Sequence, residues 1–230
     1  MIRSIRTHLA ALKTGATASM ALFAVAMLTF FQLAGNGGAG APHELDVRIL
    51  MALRNPDDLS DPLGPGWFED VMRDVTALGG TAVLAMVSLS VCGFLLLTGK
   101  RRAAWAVAGA VVGAFILSHA LKLGFDRPRP DLVPHGVRVH TRSFPSAHAM
   151  MSAAVYLTLA GMLARTQATA RARAFVIAVA VLLTALTGAS RVYLGVHWPS
   201  DVAAGWAAGA AWAILCGSVM SALQPRGAPG

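Results

Sequence analysis

One apolar stretch decides how the rest of the chain is understood: residues 103–121 read AAWAVAGAVVGAFILSHAL. It contains no Asp, Glu, Lys or Arg, and its length approaches the roughly 20 residues that cross the hydrocarbon core of a bilayer. Over the whole chain 56% of residues are hydrophobic and 13% are charged, and this charged fraction is about half that of a typical soluble domain. The stretch therefore predicts a membrane-spanning helix.

Similar apolar blocks recur along the chain without the alternation that is typical of strands. We predict six membrane helices, with cores at residues 18–33, 78–97, 103–121, 147–164, 174–189 and 202–223. The predicted fold class is all-α, a polytopic membrane bundle forming one domain over residues 1–230. Two pairs, Gly109 with Gly113 and Gly205 with Gly209, have the four-residue spacing that lets helices approach closely, although an Ala- and Gly-rich chain also produces it by chance.

Two segments near the N-terminus have alternative interpretations. The first apolar block is also compatible with a signal peptide, because basic residues precede it and small residues follow it. In the long outward loop, residues 42–54 predict a short helix that ends at Asn55-Pro56. Before the second membrane helix, an apolar stripe either lies at the level of the lipid headgroups or packs against the bundle; it consists of Trp67, Phe68, Val71, Met72 and Val75.

The net charge of +8 is distributed by segment, as the positive-inside rule predicts for a membrane protein, so we expect no nucleic-acid partner. The N-terminus, the second and fourth loops and the C-terminus carry basic residues without acidic ones. We therefore predict a multi-pass protein of the inner (plasma) membrane with both termini cytoplasmic. Several cations nevertheless lie on the acidic, outer side, where an anionic ligand would explain them: Lys122, Arg127, Arg129, Arg138, Arg142 and Arg191.

Three clusters on this outer side contain residues suited to phosphate chemistry. Lys122 and Arg129-Pro130 follow the third helix, and both cations can bind phosphate oxygens. Pro145-Ser146-Ala147-His148 opens the fourth helix, where free N–H groups attract anions. Ser190-Arg191 precedes His197 by a few residues, and Pro199 starts the sixth helix, so that Asp201 can reach back to one imidazole nitrogen and leave the other free to attack.

These residues resemble the signature of the type 2 phosphatidic acid phosphatase family: Lys, six residues, Arg-Pro; Pro-Ser-Gly-His; and Ser-Arg, five residues, His, three residues, Asp. The sequence differs only at Ala147, where the family has Gly. The resemblance implies that His197 is the nucleophile, that Asp201 orients it and that His148 protonates the leaving oxygen. It also implies a phosphate-binding set and no metal or cofactor; this set comprises Lys122, Arg129, Ser146, Ala147 and Arg191.

The resemblance further implies a membrane lipid phosphatase that forms a phosphohistidine on the outer face, with undecaprenyl pyrophosphate as the leading substrate. Phosphatidylglycerol phosphate, phosphatidic acid and lipid A phosphates stay open. The alternatives are a lipid phosphotransferase with the same intermediate and a non-enzymatic lipid-binding or transport bundle. Other nearby residues lie outside the motif and the predicted site, with His119 the first among them to consider: Arg127, Arg138, Arg142, His119, His135 and His140.

Overall fold

The computed structural model describes residues 2–37, 42–137 and 141–223, and Arg138 and His140 lie outside these ranges. Within them the regular secondary structure is helical except for one short two-stranded antiparallel sheet. The elements in chain order are α1 (Ile2–Gly37), α2 (Glu44–Met51), β1 (Arg54–Asn55), β2 (Asp58–Pro62), α3 (Gly66–Ala77), α4 (Thr81–Leu97), α5 (Arg101–Gly124), α6 (Ala147–Arg165), α7 (Ala170–Tyr193) and α8 (Pro199–Leu223).

Among the described residues, five helices are long and apolar enough to cross a membrane, namely α1, α5, α6, α7 and α8. The pair α3 and α4, bent by 48°, passes the same test as one broken span. Large apolar side chains such as Leu89, Trp105 and Phe175 point away from the protein interior, as expected where lipid is the surrounding solvent. The all-α membrane bundle is confirmed, with five candidate spans among the described residues, or six where the bent pair is counted as one span.

Helix α6 lies at the centre of the bundle and packs against α5, α7 and α8, whereas α1 lies outside and packs against α8. Phe30 of α1 is buried in a cluster with Phe144, Met150 and Ala204. The predicted close approach of backbones is present at Gly205 and Gly209, which lie directly against the backbone of α6. At the other pair the prediction is wrong, because a Cβ at Gly109 would have nothing within 4 Å and one at Gly113 would meet the Trp212 side chain.

The predicted second helix, residues 78–97, is wrong at its start, because the chain bends at residues 78–80 and α4 begins at Thr81. The Leu78 carbonyl accepts a hydrogen bond of 2.7 Å from the Tyr156 hydroxyl. This partner replaces the intrahelical N–H that a continuous helix would supply. The bend lets α3 pack against α7, beside the start of α6.

The segment between α1 and α4, predicted as the outward loop, is more structured than predicted. The helix expected over residues 42–54 ends at Met51, and Arg54 and Asn55 instead form β1, which pairs with β2. In α3 the packing interpretation of the apolar stripe is confirmed for part of it, and a location at the level of the lipid headgroups stays a prediction. Phe68 and Met72 pack against the cluster of Tyr193, Leu194 and Val196, while Trp67 and Val71 are exposed.

Candidate active site

His197 lies in the turn between α7 and α8 and is 1% exposed. The turn requires glycine at position 195, where φ is +70° and a Cβ would lie 2.7 Å from Val133 Cγ2 and 2.9 Å from Arg54 Nη2. Trp198 then packs into the core and α8 begins at Pro199. This sharp reversal brings the first turn of α8 back against the imidazole.

The contacts of the His197 ring define its tautomer. Nδ1 lies 3.4 Å from Asp201 Oδ2 and 3.3 Å from Ser143 Oγ, while Nε2 lies 3.1 Å from Arg129 Nη1. A guanidinium only donates hydrogen bonds, so Nε2 must carry the lone pair and Nδ1 the proton. The nitrogen that faces the cation is therefore the nucleophilic one.

The charge state of His197 follows from its surroundings. Burial lowers the pKa of the imidazole well below its ordinary value of 6.5, and the positive charges of Arg129, Arg191 and Lys122 lower it further. The side chain is thus neutral at physiological pH. A neutral imidazole with a free lone pair is the form required for nucleophilic attack.

The carboxylate of Asp201 is held on both oxygens and is fully buried. Oδ1 accepts a hydrogen bond of 2.7 Å from Arg127 Nη1, and Oδ2 accepts from Ser143 Oγ and, at 3.0 Å, from the Trp198 N–H. Arg127 also donates to Asp46 of α2. Arg127, Ser143 and Asp46 are all missing from the predicted site, although the position of Arg127 on the acidic side was a signal.

Cationic side chains of the predicted phosphate-binding set converge on this histidine. Arg129 donates to the carbonyls of Thr141 and Val196, and burial lowers the pKa of its guanidinium to about 10, so it remains charged. Lys122 Nζ donates to the Arg142 carbonyl at 2.7 Å. Arg191 Nη1 donates to Thr76 Oγ1 at 2.9 Å. Three fixed cations around a neutral histidine form a site suited to a dianion.

The start of α6 completes the site. The Ser146 N–H donates to the Asp201 carbonyl at 3.0 Å, which joins α6 to α8. Within the described part of the chain, the buried atoms Ser146 Oγ and Arg191 Nε have no hydrogen-bond partner, so both are available to a ligand. Ala147 begins the helix and His148 follows it, half-buried and close enough to interact with Arg191, Arg129 and Lys122. Their individual roles stay predictions.

Two of the residues outside the motif border this site. His119 and Arg142, with Lys122, Leu123 and Thr141, line a cavity of about 560 Å³. His135 lies elsewhere, with Nε2 bonded to the Pro130 carbonyl. Among the described residues, no group of three or more His, Cys, Asp or Glu side chains is arranged to hold a metal ion.

The fold and the site together define a helical membrane protein in which a carboxylate holds a buried histidine among fixed cations. The chain belongs to the PAP2 superfamily, whose family model matches residues 103–225. This match confirms the resemblance noted in the sequence. It covers α5 to α8 and leaves α1 to α4 outside.

Two curated relatives are bacterial phosphatases. Phosphatidylglycerophosphatase B of Bacillus subtilis is 31% identical over 144 residues, which are 62% of this chain and 70% of that protein. Decaprenylphosphoryl-5-phosphoribose phosphatase of Mycobacterium tuberculosis is 37% identical over 147 residues, 61% of this chain and 74% of that protein. Both similarities extend over most of the relative's length.

Solved structures show the same fold. A transmembrane PAP2-type phosphatidylglycerolphosphate phosphatase from Bacillus subtilis aligns with a TM-score of 0.76 at 25% identity, over 89% of this chain and 98% of that one. LpxE from Aquifex aeolicus aligns with a TM-score of 0.56 at 24% identity, over 78% of this chain and 96% of that one. The first alignment includes most of the chain, well beyond the range of the family match.

Proposed function

We propose that this protein is an integral membrane lipid phosphatase that forms a phosphohistidine on His197. The observation that carries the proposal is the imidazole itself, with Nδ1 directed at Asp201 and the Nε2 lone pair directed at Arg129. A substrate phosphoryl group bound to the Arg129 guanidinium would lie next to this lone pair. The two curated relatives are both named as phosphatases of lipid substrates, which supports the same class here.

The reaction has two displacement steps. Nε2 attacks phosphorus as the bond to the leaving oxygen breaks, and His148 gives that oxygen a proton. Lys122, Arg129, Arg191 and the Ser146 hydroxyl stabilise the charge on the non-bridging oxygens, together with N–H groups at the start of α6 near Ala147. A water molecule then attacks phosphorus, the P–N bond breaks, and His148 recovers a proton from the water. Fixed side-chain cations provide the charge neutralisation, so the proposal requires no metal ion.

We place the site on the outer face of the inner membrane. The site lies where α5 and α7 end and α6 and α8 begin. The other end of the bundle carries Lys100 between α4 and α5, and Arg102 and Arg171 in the first turns of α5 and α7. Positive charge at that end supports a cytoplasmic location for it, and hence for both termini.

Thiol labelling tests this orientation. In a Cys92→Ser/Cys216→Ser background, an impermeant thiol reagent added to intact cells should label Ser60→Cys in β2 and spare Thr166→Cys between α6 and α7. The reverse pattern would refute the orientation.

For the substrate we propose a polyprenyl pyrophosphate, with undecaprenyl pyrophosphate as the leading candidate. The cavity beside Lys122 is lined by two further basic side chains, His119 and Arg142, which suits a leaving group that is itself a phosphate. Arg142 is paired at 3.0 Å with Asp126, and both side chains are exposed, so this weak pair can exchange for a phosphate oxygen. The relative named for a decaprenylphosphoryl substrate supports a polyprenyl chain.

The substrate proposal predicts unequal effects on two substrates. Arg142→Gln should lower kcat/KM for a polyprenyl pyrophosphate about tenfold, as expected for one lost hydrogen bond to a charged group, with a smaller effect on the corresponding monophosphate. Arg173→Gln, an exposed arginine in the first turn of α7, is the control. Equal losses on both substrates would contradict a pyrophosphate-specific contact.

The experiment that tests the function is phosphate release by the purified protein in detergent, with a chelator present, from a panel of lipid phosphates. We expect release by the wild-type protein, a phosphoenzyme labile to acid, and no activity for His197→Ala. His43→Gln, an exposed histidine in the outward loop, should retain activity. Undiminished activity of His197→Ala would refute the nucleophile, and transfer to an added acceptor lipid without free phosphate would identify a phosphotransferase instead.

A further inference from the structure

We propose that the arm formed by α2 and β1, in the outward loop, belongs to the catalytic unit, and that Asp46 and Arg127 are positioning residues for Asp201 and hence for His197. The arm lies outside the range matched by the PAP2 family model, which begins at residue 103. The inference rests on the proposed function, since it concerns how the nucleophile is held.

The first observation is a buried charge network that joins the arm to the carboxylate of Asp201. Arg127 Nη1 lies 2.7 Å from Asp201 Oδ1, and its Nη2 lies 2.7 Å from Asp46 Oδ2. The Arg127 and Asp201 side chains are 0% exposed and that of Asp46 is 4% exposed. Ser200 extends the network, because its N–H and hydroxyl donate to Asp46 at 2.8 and 2.6 Å. Asp46 thus contacts the first turn of α8 directly.

The charges of this network are interdependent. One guanidinium lies between two buried carboxylates, and a buried charge without a partner is strongly unfavourable. If Arg127 loses its charge, one of the two carboxylates must take up a proton. A protonated Asp201 would accept a weaker hydrogen bond from the Nδ1–H of His197 than the carboxylate anion does. Asp46 and Asp201 each bond to a separate nitrogen of Arg127, so Asp46 fixes the orientation in which the guanidinium meets Asp201.

The second observation is that the arm also supports the turn that carries His197. Arg54 of β1 is 3% exposed, and its Nη2 donates to the Tyr193 carbonyl at 2.8 Å, at the end of α7. The same Nη2 would lie 2.9 Å from a Cβ at Gly195. Leu50 at the end of α2 is fully buried in a cluster with Trp198 and Val202. The arm therefore holds the turn on both sides of the histidine.

A positioning role has a distinct kinetic signature. Asp46 and Arg127 bond to the carboxylate and the start of α8 and make no hydrogen bond to Lys122, Arg129 or Arg191 within the described residues. Their loss should therefore lower kcat and leave phosphate binding nearly unchanged. Changes to residues that orient a ligand or nucleophile through a second layer of contacts typically cost about 10- to 100-fold.

The test uses the full-length protein in detergent and four variants in the network: Asp46→Asn, Arg127→Lys, Arg127→Gln and Asp46→Asn/Arg127→Gln. Glu44→Gln is the matched control, because Glu44 lies on the same helix with its side chain 79% exposed. For each variant we would measure kcat, KM, the inhibition constant of inorganic phosphate and the thermal unfolding midpoint. Arg127→Lys keeps a buried charge, so it protects the test against misfolding of Arg127→Gln.

We expect kcat to fall about 10-fold in Asp46→Asn and about 100-fold in Arg127→Gln, with Arg127→Lys between wild type and Arg127→Gln. The phosphate inhibition constant should stay within about threefold of wild type in each, a span below about 1 kcal/mol. The double variant should exceed Arg127→Gln in kcat, because it also removes the buried carboxylate of Asp46, which Arg127→Gln leaves without its cation. Glu44→Gln should match wild type.

Three results would overturn the inference: wild-type kcat in folded Asp46→Asn and Arg127→Lys, an equal loss of phosphate affinity, or a Glu44→Gln variant as impaired as Asp46→Asn. His197→Ala is assayed in parallel to separate the two proposals. If His197→Ala is inactive while the network variants are unaffected, the positioning role alone is wrong. If His197→Ala is fully active, the proposed function is wrong and the inference falls with it.

Discussion

The contact between α6 and α8 should be intolerant of a single methyl group at Gly209. A Cβ there would lie 2.3 Å from the Met150 carbonyl oxygen and 2.7 Å from Ala153 Cβ. Ordinary contact begins at 3.4 Å, so Gly209→Ala must separate the two helices by about 1 Å. Neither neighbour can rotate away, because one is backbone and the other is the first atom of a side chain.

This separation should affect both stability and catalysis. Overpacking of this kind costs about 1–3 kcal/mol, which outweighs the gain of about 1 kcal/mol from replacing glycine by alanine inside a helix. Helix α8 carries Asp201 and follows His197 directly, and α6 carries His148, so the movement also changes the distance between nucleophile and acid. A misplacement of about 1 Å costs roughly 100-fold in rate.

The assay combines thermal unfolding in detergent with phosphate release. Gly161→Ala is the control, since Gly161 lies on α6 and a Cβ at this position would have nothing within 4 Å. Gly205→Ala, with a Cβ 2.7 Å from the Ser146 carbonyl oxygen, should show the same defects. A Gly209→Ala protein with an unchanged unfolding midpoint and a rate within about twofold of wild type would refute the close approach of α6 and α8.

Three further predictions concern the site itself. The pKa of His197 in the folded protein lies below its unfolded value of 6.5. As the pH falls below about 6.5, the unfolded chain therefore binds a proton that the folded chain does not. The free energy of unfolding then decreases by up to about 1.4 kcal/mol per pH unit. Thermal midpoints at about pH 7.5 and about pH 5.5 should therefore differ less in His197→Gln than in wild type, and equal differences would contradict this. Arg129→Lys should lower kcat/KM at least about tenfold, because an ammonium cannot replace a planar fork; full activity would count against direct phosphate contact. Thr76→Val removes the 2.9 Å partner of Arg191 and should raise KM several-fold, whereas Thr81→Val, at the exposed start of α4, should leave KM unchanged.

Tertiary packing changed the predicted elements mainly in the outward loop. Hydropathy located the membrane helices because each one contacts lipid over a whole face. Contact with lipid requires a continuous run of apolar residues, which is visible in the sequence. It missed the bend at residues 78–80, because the Tyr156 hydroxyl that satisfies the Leu78 carbonyl is 78 residues away in sequence. The pairing of β1 with β2 was missed because two residues of β1 carry no periodic pattern.

The sequence predicted the part of the candidate site whose residues are close together in the chain. The spacing of His197, Pro199 and Asp201 within one turn and the start of one helix is enough to bring the carboxylate to the ring, because Pro199 sets where α8 begins. The sequence by itself also determined the family and the three clusters, whose spacings are short. Only the tertiary structure revealed that Arg129 faces Nε2, that Arg127 bridges Asp46 and Asp201, and that Arg54 supports the histidine turn. These contacts join residues 68 to 139 positions apart in the sequence. A local sequence pattern cannot predict them, because burial of a charge becomes favourable only once its distant partner is in place.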